Sequence, residues 1–95
     1  DPFNQFDVDE FDGINSLILY PNPTRDILFL SISFEEKEDF SISFFDVVGN
    51  LISKEKYFEK GIYREIDVST LSKGIYNIAI DYNKGKINKK IVIQK

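Results

Sequence analysis

The sequence predicts an all-β chain, an immunoglobulin-like antiparallel β-sandwich of about seven strands. Three observations carry this. From Ser16 onward apolar residues recur in short runs with period two, turn-forming residues return about every 8–12 residues, and no segment holds a helical period. Residues 1–15 lack any sustained period and mix acids with Phe3, Phe6 and Phe11. They read as a linker or arm to upstream cargo, with phenylalanines able to dock on the domain. Residues 17–20 form the first strand, stopped by Pro21-Asn22-Pro23, where two prolines remove ladder donors. Residues 26–34 form the second, with Leu28, Leu30, Ile32 and Phe34 on one face and Ser31 and Ser33 on the other. Glu35-Glu36-Lys37-Glu38-Asp39 is expected as a charged turn, after which Phe40, Ile42 and Phe44 point inward and complete a hairpin.

Asp46-Val47-Val48-Gly49-Asn50 is a turn in which the Asp46 carboxylate bonds nearby backbone N–H groups. Residues 51–58 return as a more polar strand suited to an edge, and Gly61 separates it from a strand over 62–68. The connection 69–74 has one large apolar residue, Leu71, placed to plug an end of the core. Residues 75–82 put Tyr76, Ile78, Ile80 and Tyr82 on one face. Asn83-Lys84-Gly85-Lys86 is a hairpin turn, and the last strand, 87–94, aligns Ile87, Lys89, Ile91 and Ile93. The sandwich therefore spans 16–95, behind the arm 1–15.

Composition limits the chemistry. Ninety-five residues, 42% apolar, make one small core of modest stability with little room for a deep pocket. The chain has no Cys and no His. Disulfides, thiolate metal sites, a Cys nucleophile, a Ser-His-Asp triad and the common zinc ligands are excluded, so neither an enzyme nor a cofactor is expected. No apolar run approaches the roughly 20 residues of a membrane span, and the acidic N-terminus is no signal peptide. A soluble chain is expected, any export signal lying elsewhere.

The net charge of −4 conceals opposite ends: residues 1–13 carry −5 and residues 84–95 carry +5. The string Asp7-Val8-Asp9-Glu10-Phe11-Asp12-Gly13 has acids at alternate positions, but its ligand spacing departs from a calcium loop, and it reads as a solvated acidic linker. Glu35, Glu36, Glu38 and Asp39 lack an apolar pocket that would tune a catalytic carboxylate. Tyr20, Tyr63, Tyr76 and Tyr82 could build a sugar-stacking platform, the alternative being an adhesive or carbohydrate-binding module of a surface enzyme. In a sandwich this small they read first as core or cross-strand pairs. The lysine-rich end has no Arg for base readout, so nucleic acid is not a predicted partner, nor is a small-molecule substrate. Its lysines read either as an edge guard, which the residues alone favour, or as a handle for a partner.

Four segments in order resemble one known family. Leu19-Tyr20-Pro21-Asn22-Pro23, Phe44-Phe45-Asp46-Val47-Val48-Gly49, Leu71-Ser72-Lys73-Gly74-Ile75-Tyr76 and Lys90-Ile91-Val92-Ile93-Gln94-Lys95 are similar to the motifs of type A C-terminal sorting domains of the type IX (Por) secretion system of Bacteroidetes. Asn50 departs from the Arg or Lys common there. The resemblance implies a non-catalytic sandwich that addresses upstream cargo to an outer-membrane translocon with its shuttle and sortase-like peptidase components. The cargo would cross the periplasm to the outer-membrane surface or beyond, with the arm 1–15 as the region of cleavage. An address of this kind is expected at an exposed chain end, so Lys89, Lys90 and Lys95 are expected as translocon contacts, with Ile91, Val92 and Ile93 split between core and recognition. Tyr20, Pro21, Asn22, Pro23, Asp46, Gly49, Leu71, Gly74 and Tyr76 are implied as motif and fold support.

Overall fold

The computed structural model describes residues 13–95. The arm up to Asp12, with Phe3, Phe6, Phe11 and the acidic string from Asp7, lies outside the described residues. Five antiparallel strands account for the fold: β1 (Ile14–Tyr20), β2 (Ile27–Phe45), β3 (Leu51–Asp67), β4 (Gly74–Tyr82) and β5 (Gly85–Ile93). The hydrogen-bonded order is β1-β2-β4-β5, with β3 also on β2. Ile14 is buried opposite Phe34, so Ile14 and Asn15, read above as arm, belong to the sheet.

The strand count is five rather than seven because two expected breaks are bends. Glu35–Asp39 is no turn: β2 runs through it for 19 residues. The stretch contains no Gly, Pro or Asn to reverse the chain, so its charges turn to solvent while the backbone stays extended. Ser33 pairs with Gly61 and the next pair is Glu38 with Glu59, so residues 34–37 pass a single residue of β3. A bulge of this size swings a strand out of its original plane. Gly61 likewise sits within β3 rather than ending it.

The sheet therefore curls into two layers. One holds β1 with residues 27–33 of β2 and 61–67 of β3; the other holds the remaining halves of β2 and β3 with β4 and β5. Leu17, Leu28, Leu30, Ile32 and Phe34 of the first layer meet Phe44, Ile78, Ile80, Ile87, Ile91 and Ile93 of the second in one buried cluster. Each such side chain contributes ~1.5–3 kcal/mol of burial. Phe34 spans the bend, its ring 4.8 Å from Phe40 and 5.6 Å from Tyr82. Leu71 packs partly buried against the cluster, as its position suggested.

The four tyrosines do not form one platform. Tyr76 and Tyr82 turn inward against Phe44 and Phe34. Tyr20 and Tyr63 flank Phe29 in an outward stack with centroids 5.1 and 6.0 Å apart. The Tyr20 hydroxyl holds that of Tyr63, pushing the Tyr63 pKa up to about 12.

Candidate functional site

The register brings the four motif segments to one end of the sandwich. Tyr20 pairs with Phe29, Ile27 with Asp67, Phe45 with Asn77 and Gly74 with Ile93. Residues 70 positions apart in sequence thus become neighbours.

The proline segment fastens the last strand. Both of its peptide bonds to proline, Tyr20–Pro21 and Asn22–Pro23, are cis. The Asn22 side chain acts as a short strand: its Nδ2 donates to the Lys90 carbonyl at 3.0 Å and its Oδ1 accepts from the Val92 N–H at 2.9 Å. Thr24 continues the contact through its backbone, donating to Val92 O and accepting from Gln94 N, both at 2.8 Å. Thr24 is itself 2% exposed, its hydroxyl donating to Ile27 O at 2.6 Å. Nothing in the local sequence marks Thr24, because its role is set by a strand almost seventy residues away. Asn22→Ala should cost about 1–2 kcal/mol, the low side of a lost pair because water can replace the exposed amide. It should also raise hydrogen exchange at the Val92 amide selectively, and unchanged Val92 protection would rule out the clamp.

The Leu71 to Tyr76 segment forms the neighbouring wall. Tyr76 is 8% exposed, with its hydroxyl donating to Ser72 O at 2.7 Å, so the ring spans its own loop. Gly74 has φ +153°, which side-chain-bearing residues rarely adopt, while a Cβ there would meet only the Tyr76 ring edge at 4.0 Å. The cost of Gly74→Val is therefore conformational, about 1–2 kcal/mol. A melting temperature equal to that of the parent chain would contradict this.

Lys95 closes the end. Its Nζ donates to Ser69 O at 2.6 Å and lies 3.5 Å from Val68 O. Beside it, the Asp67 carboxylate accepts from Ser69 N at 2.9 Å. The Ser69 hydroxyl, its N–H and the charge of Lys95 hold the Asp67 pKa below its ordinary 3.8. A depressed carboxyl lends its tether above the unfolded pKa and loses it as pH falls through the folded one. The Ser69 amide resonance should thus titrate with a midpoint below 3.8; a midpoint at or above 3.8 would refute the tether.

The Asp46 loop is built on its own carboxylate. Oδ1 accepts from Asn50 N at 2.8 Å and Val48 N at 3.1 Å, and the Asn50 side chain donates to Oδ2 at 3.1 Å. The Asn50 N–H leads these in lowering the Asp46 pKa. Asn50, the departure from the family pattern, is thus part of the loop's own scaffold. The loop presents Val47 and Val48, 72% and 77% exposed, beside Leu51 and Ile52, a surface that the sequence reading did not single out.

The six predicted contact residues separate by burial. Ile91 and Ile93 lie in the core, out of reach of a partner that meets the folded domain. Val92 and Lys89 are half-buried, and desolvation lowers the Lys89 pKa. Lys90 and Lys95 are exposed, although Lys95 already spends its ammonium on the chain's own carbonyls.

Residues 18–94 match the family described as the secretion system C-terminal sorting domain. No curated protein matches the chain. Among solved structures, the crystal structure of dimeric latent PorU from Porphyromonas gingivalis is similar in fold, with TM-score 0.64 and 19% identity over 81% of this chain. This chain spans only 9% of that one. With the motifs in order, gathered at one end of a sandwich and matched over residues 18–94, the chain belongs to the secretion system C-terminal sorting domains, which mark proteins for export by the type IX system.

Proposed function

We propose that the folded motif end is the part of this signal that the secretion machinery reads, and that it is read as an assembled surface rather than as a terminal peptide. One observation carries the reading: Asn22, Thr24 and Lys95 hold the last strand by hydrogen bonds to main-chain atoms, so its accessible groups have fixed positions. Lys90, the exposed side of Val92 and the Val47-Val48 tip offer a cation beside apolar surface, a mixture suited to protein partners. The outer-membrane translocon, with its shuttle and sortase-like peptidase, is the partner set in this reading. Upstream cargo is joined through the segment ahead of β1, residues 1–13, which is cut after transit from the periplasm to the cell surface or medium.

The test is a fluorescent reporter fused ahead of the chain, in hosts with and without the type IX translocon. Export should require the translocon, and Lys90→Glu should reduce it severalfold while leaving the thermal melt unchanged. Undiminished export of the Lys90→Glu fusion would remove Lys90 from the recognised surface.

A further inference from the structure

Apart from Lys90 and Val92 at its lower end, the outward face of the β3-β2-β4-β5 layer has a composition the proposed sorting surface does not use. Direct cross-strand pairs define its rows: Lys56, Ser41, Asp81 and Lys86; then Lys54, Ser43, Ala79 and Asn88; then Leu51, Phe45, Asn77 and Lys90. Ser41, Ser43 and Ala79 are 9%, 4% and 1% exposed although they point away from the core. Their neighbours in these rows on β3 and β5 are larger, which makes the middle of the face a shallow trough with a small-residue floor and lysines on both flanking strands. Two carboxylates, Asp39 and Asp81, stand at its upper end beside the β4–β5 turn. Its lower end is apolar, where Phe45 meets Leu51 and Ile75 meets Val92, with Leu51 54% and Ile75 47% exposed.

A ligand for this face would be extended, acidic along most of its length and apolar at its far end. The chain carries such a segment. Residues 1–12 hold Asp1, Asp7, Asp9, Glu10 and Asp12 with no base, and intersperse Phe3, Phe6 and Phe11. The segment joins the domain at Gly13, whose carbonyl accepts from Glu35 N at 2.8 Å and which shares a cleft with Glu35, Glu36, Lys37 and Glu38 of β2 and with Asn83 and Lys84 of the β4–β5 turn. It therefore starts at the upper end of the trough. At ~3.3 Å per extended residue, Phe6 reaches about 23 Å from Gly13, the same length as the run of β4 from Tyr82 to Ile75. On such a path the acids from Asp7 to Asp12 would border Lys54, Lys56, Lys86 and Lys90.

We propose that this outward face is the docking surface for the acidic segment 1–12 of the same chain. Tethering makes the contact effectively intramolecular, so weak individual ion pairs suffice to populate it. Taken with the reading of Lys90 as a partner contact, the docked segment and the secretion partner would compete for that lysine, which couples recognition to the state of the linker.

The absence of cysteine makes the test direct. A spin label on Asn4→Cys in the full chain should broaden the amide resonances of Ile75, Asn77 and Asn88, and leave those of Ser31 and Tyr63 on the opposite face sharp. Raising salt from about 0.05 to about 0.5 M, which shortens the screening length severalfold, should cut the broadening at least about twofold. Lys54→Gln, Lys56→Gln, Lys86→Gln and Lys90→Gln together should do the same at low salt. Broadening that is absent, falls on the opposite face, resists salt, or passes from labelled to unlabelled copies in a mixture would overturn the proposal. Because export is not measured, such a failure leaves the sorting role untouched.

Discussion

Deleting residues 90–95 is expected to abolish folding and export together. The deletion removes Ile91 and Ile93, 0% and 1% exposed, and leaves Asn22, Thr24 and the Ser69 carbonyl without their partners. Loss of one buried Ile side chain costs about 2–5 kcal/mol, so two with their strand approach or exceed the ~5–15 kcal/mol that holds a typical domain. Circular dichroism should show no cooperative thermal transition, and a fused reporter should stay inside the cell. A truncated chain that melted like the parent while failing to export would instead place the whole signal in the tail. The deletion alone does not separate address from scaffold, and Lys90→Glu, which touches no core atom, does.

Gly61→Val should give the next largest loss, about 3 kcal/mol, or roughly 12–24 °C in melting temperature for a domain of this size. A Cβ at Gly61 would fall 2.8 Å from the Ile32 carbonyl oxygen and 3.3 Å from Ser33 Cα. Both are backbone atoms of a central strand and cannot swing aside. To accept the side chain β3 must lift off β2 where the two strands cross between layers, opening the Ser33–Gly61 pair. Gly61→Ala should show most of the effect, since the clash begins at the first carbon. An unchanged denaturation midpoint in either variant would mean that β3 can shift there at little cost.

The alternation of Leu28, Leu30, Ile32 and Phe34, and of Tyr76, Ile78 and Ile80, was legible because a two-residue period exposes one face of a strand to the core wherever that strand sits. What was not legible was continuity. Charge at Glu35–Asp39 resembled a turn, yet the stretch has no Gly, Pro or Asn, and its one turn-favouring residue, Asp39, stands at its far end. Gly61 resembled a break because a glycine in a strand can mark a turn or a close approach, and only the Ile32 carbonyl beside it decides which. At the motif end the segments were recognisable, but their joining was not. Asn22 meeting Lys90 and Val92, or Lys95 meeting Ser69, leaves no trace in either segment's own pattern. For the same reason Ile91, Val92 and Ile93 could only be split between core and recognition, since an apolar run at a basic terminus looks alike in both roles, and burial assigns Ile91 and Ile93 to the core.

The Asn22 clamp also bears on when the domain can form. Its bonds span 68 and 70 residues of sequence, and that of Lys95 to Ser69 spans 26. Contacts of such separation make folding slow, because the loop entropy of bringing distant segments together is lost before the contact repays it. On a ribosome the first strands have no β5 to join until nearly the whole domain has been synthesised. A chain halted early, or clipped near Lys90, never assembles the motif end. Under the proposed reading the clamp would act as a completeness check: only a domain made through its last strand would display the motif-end surface.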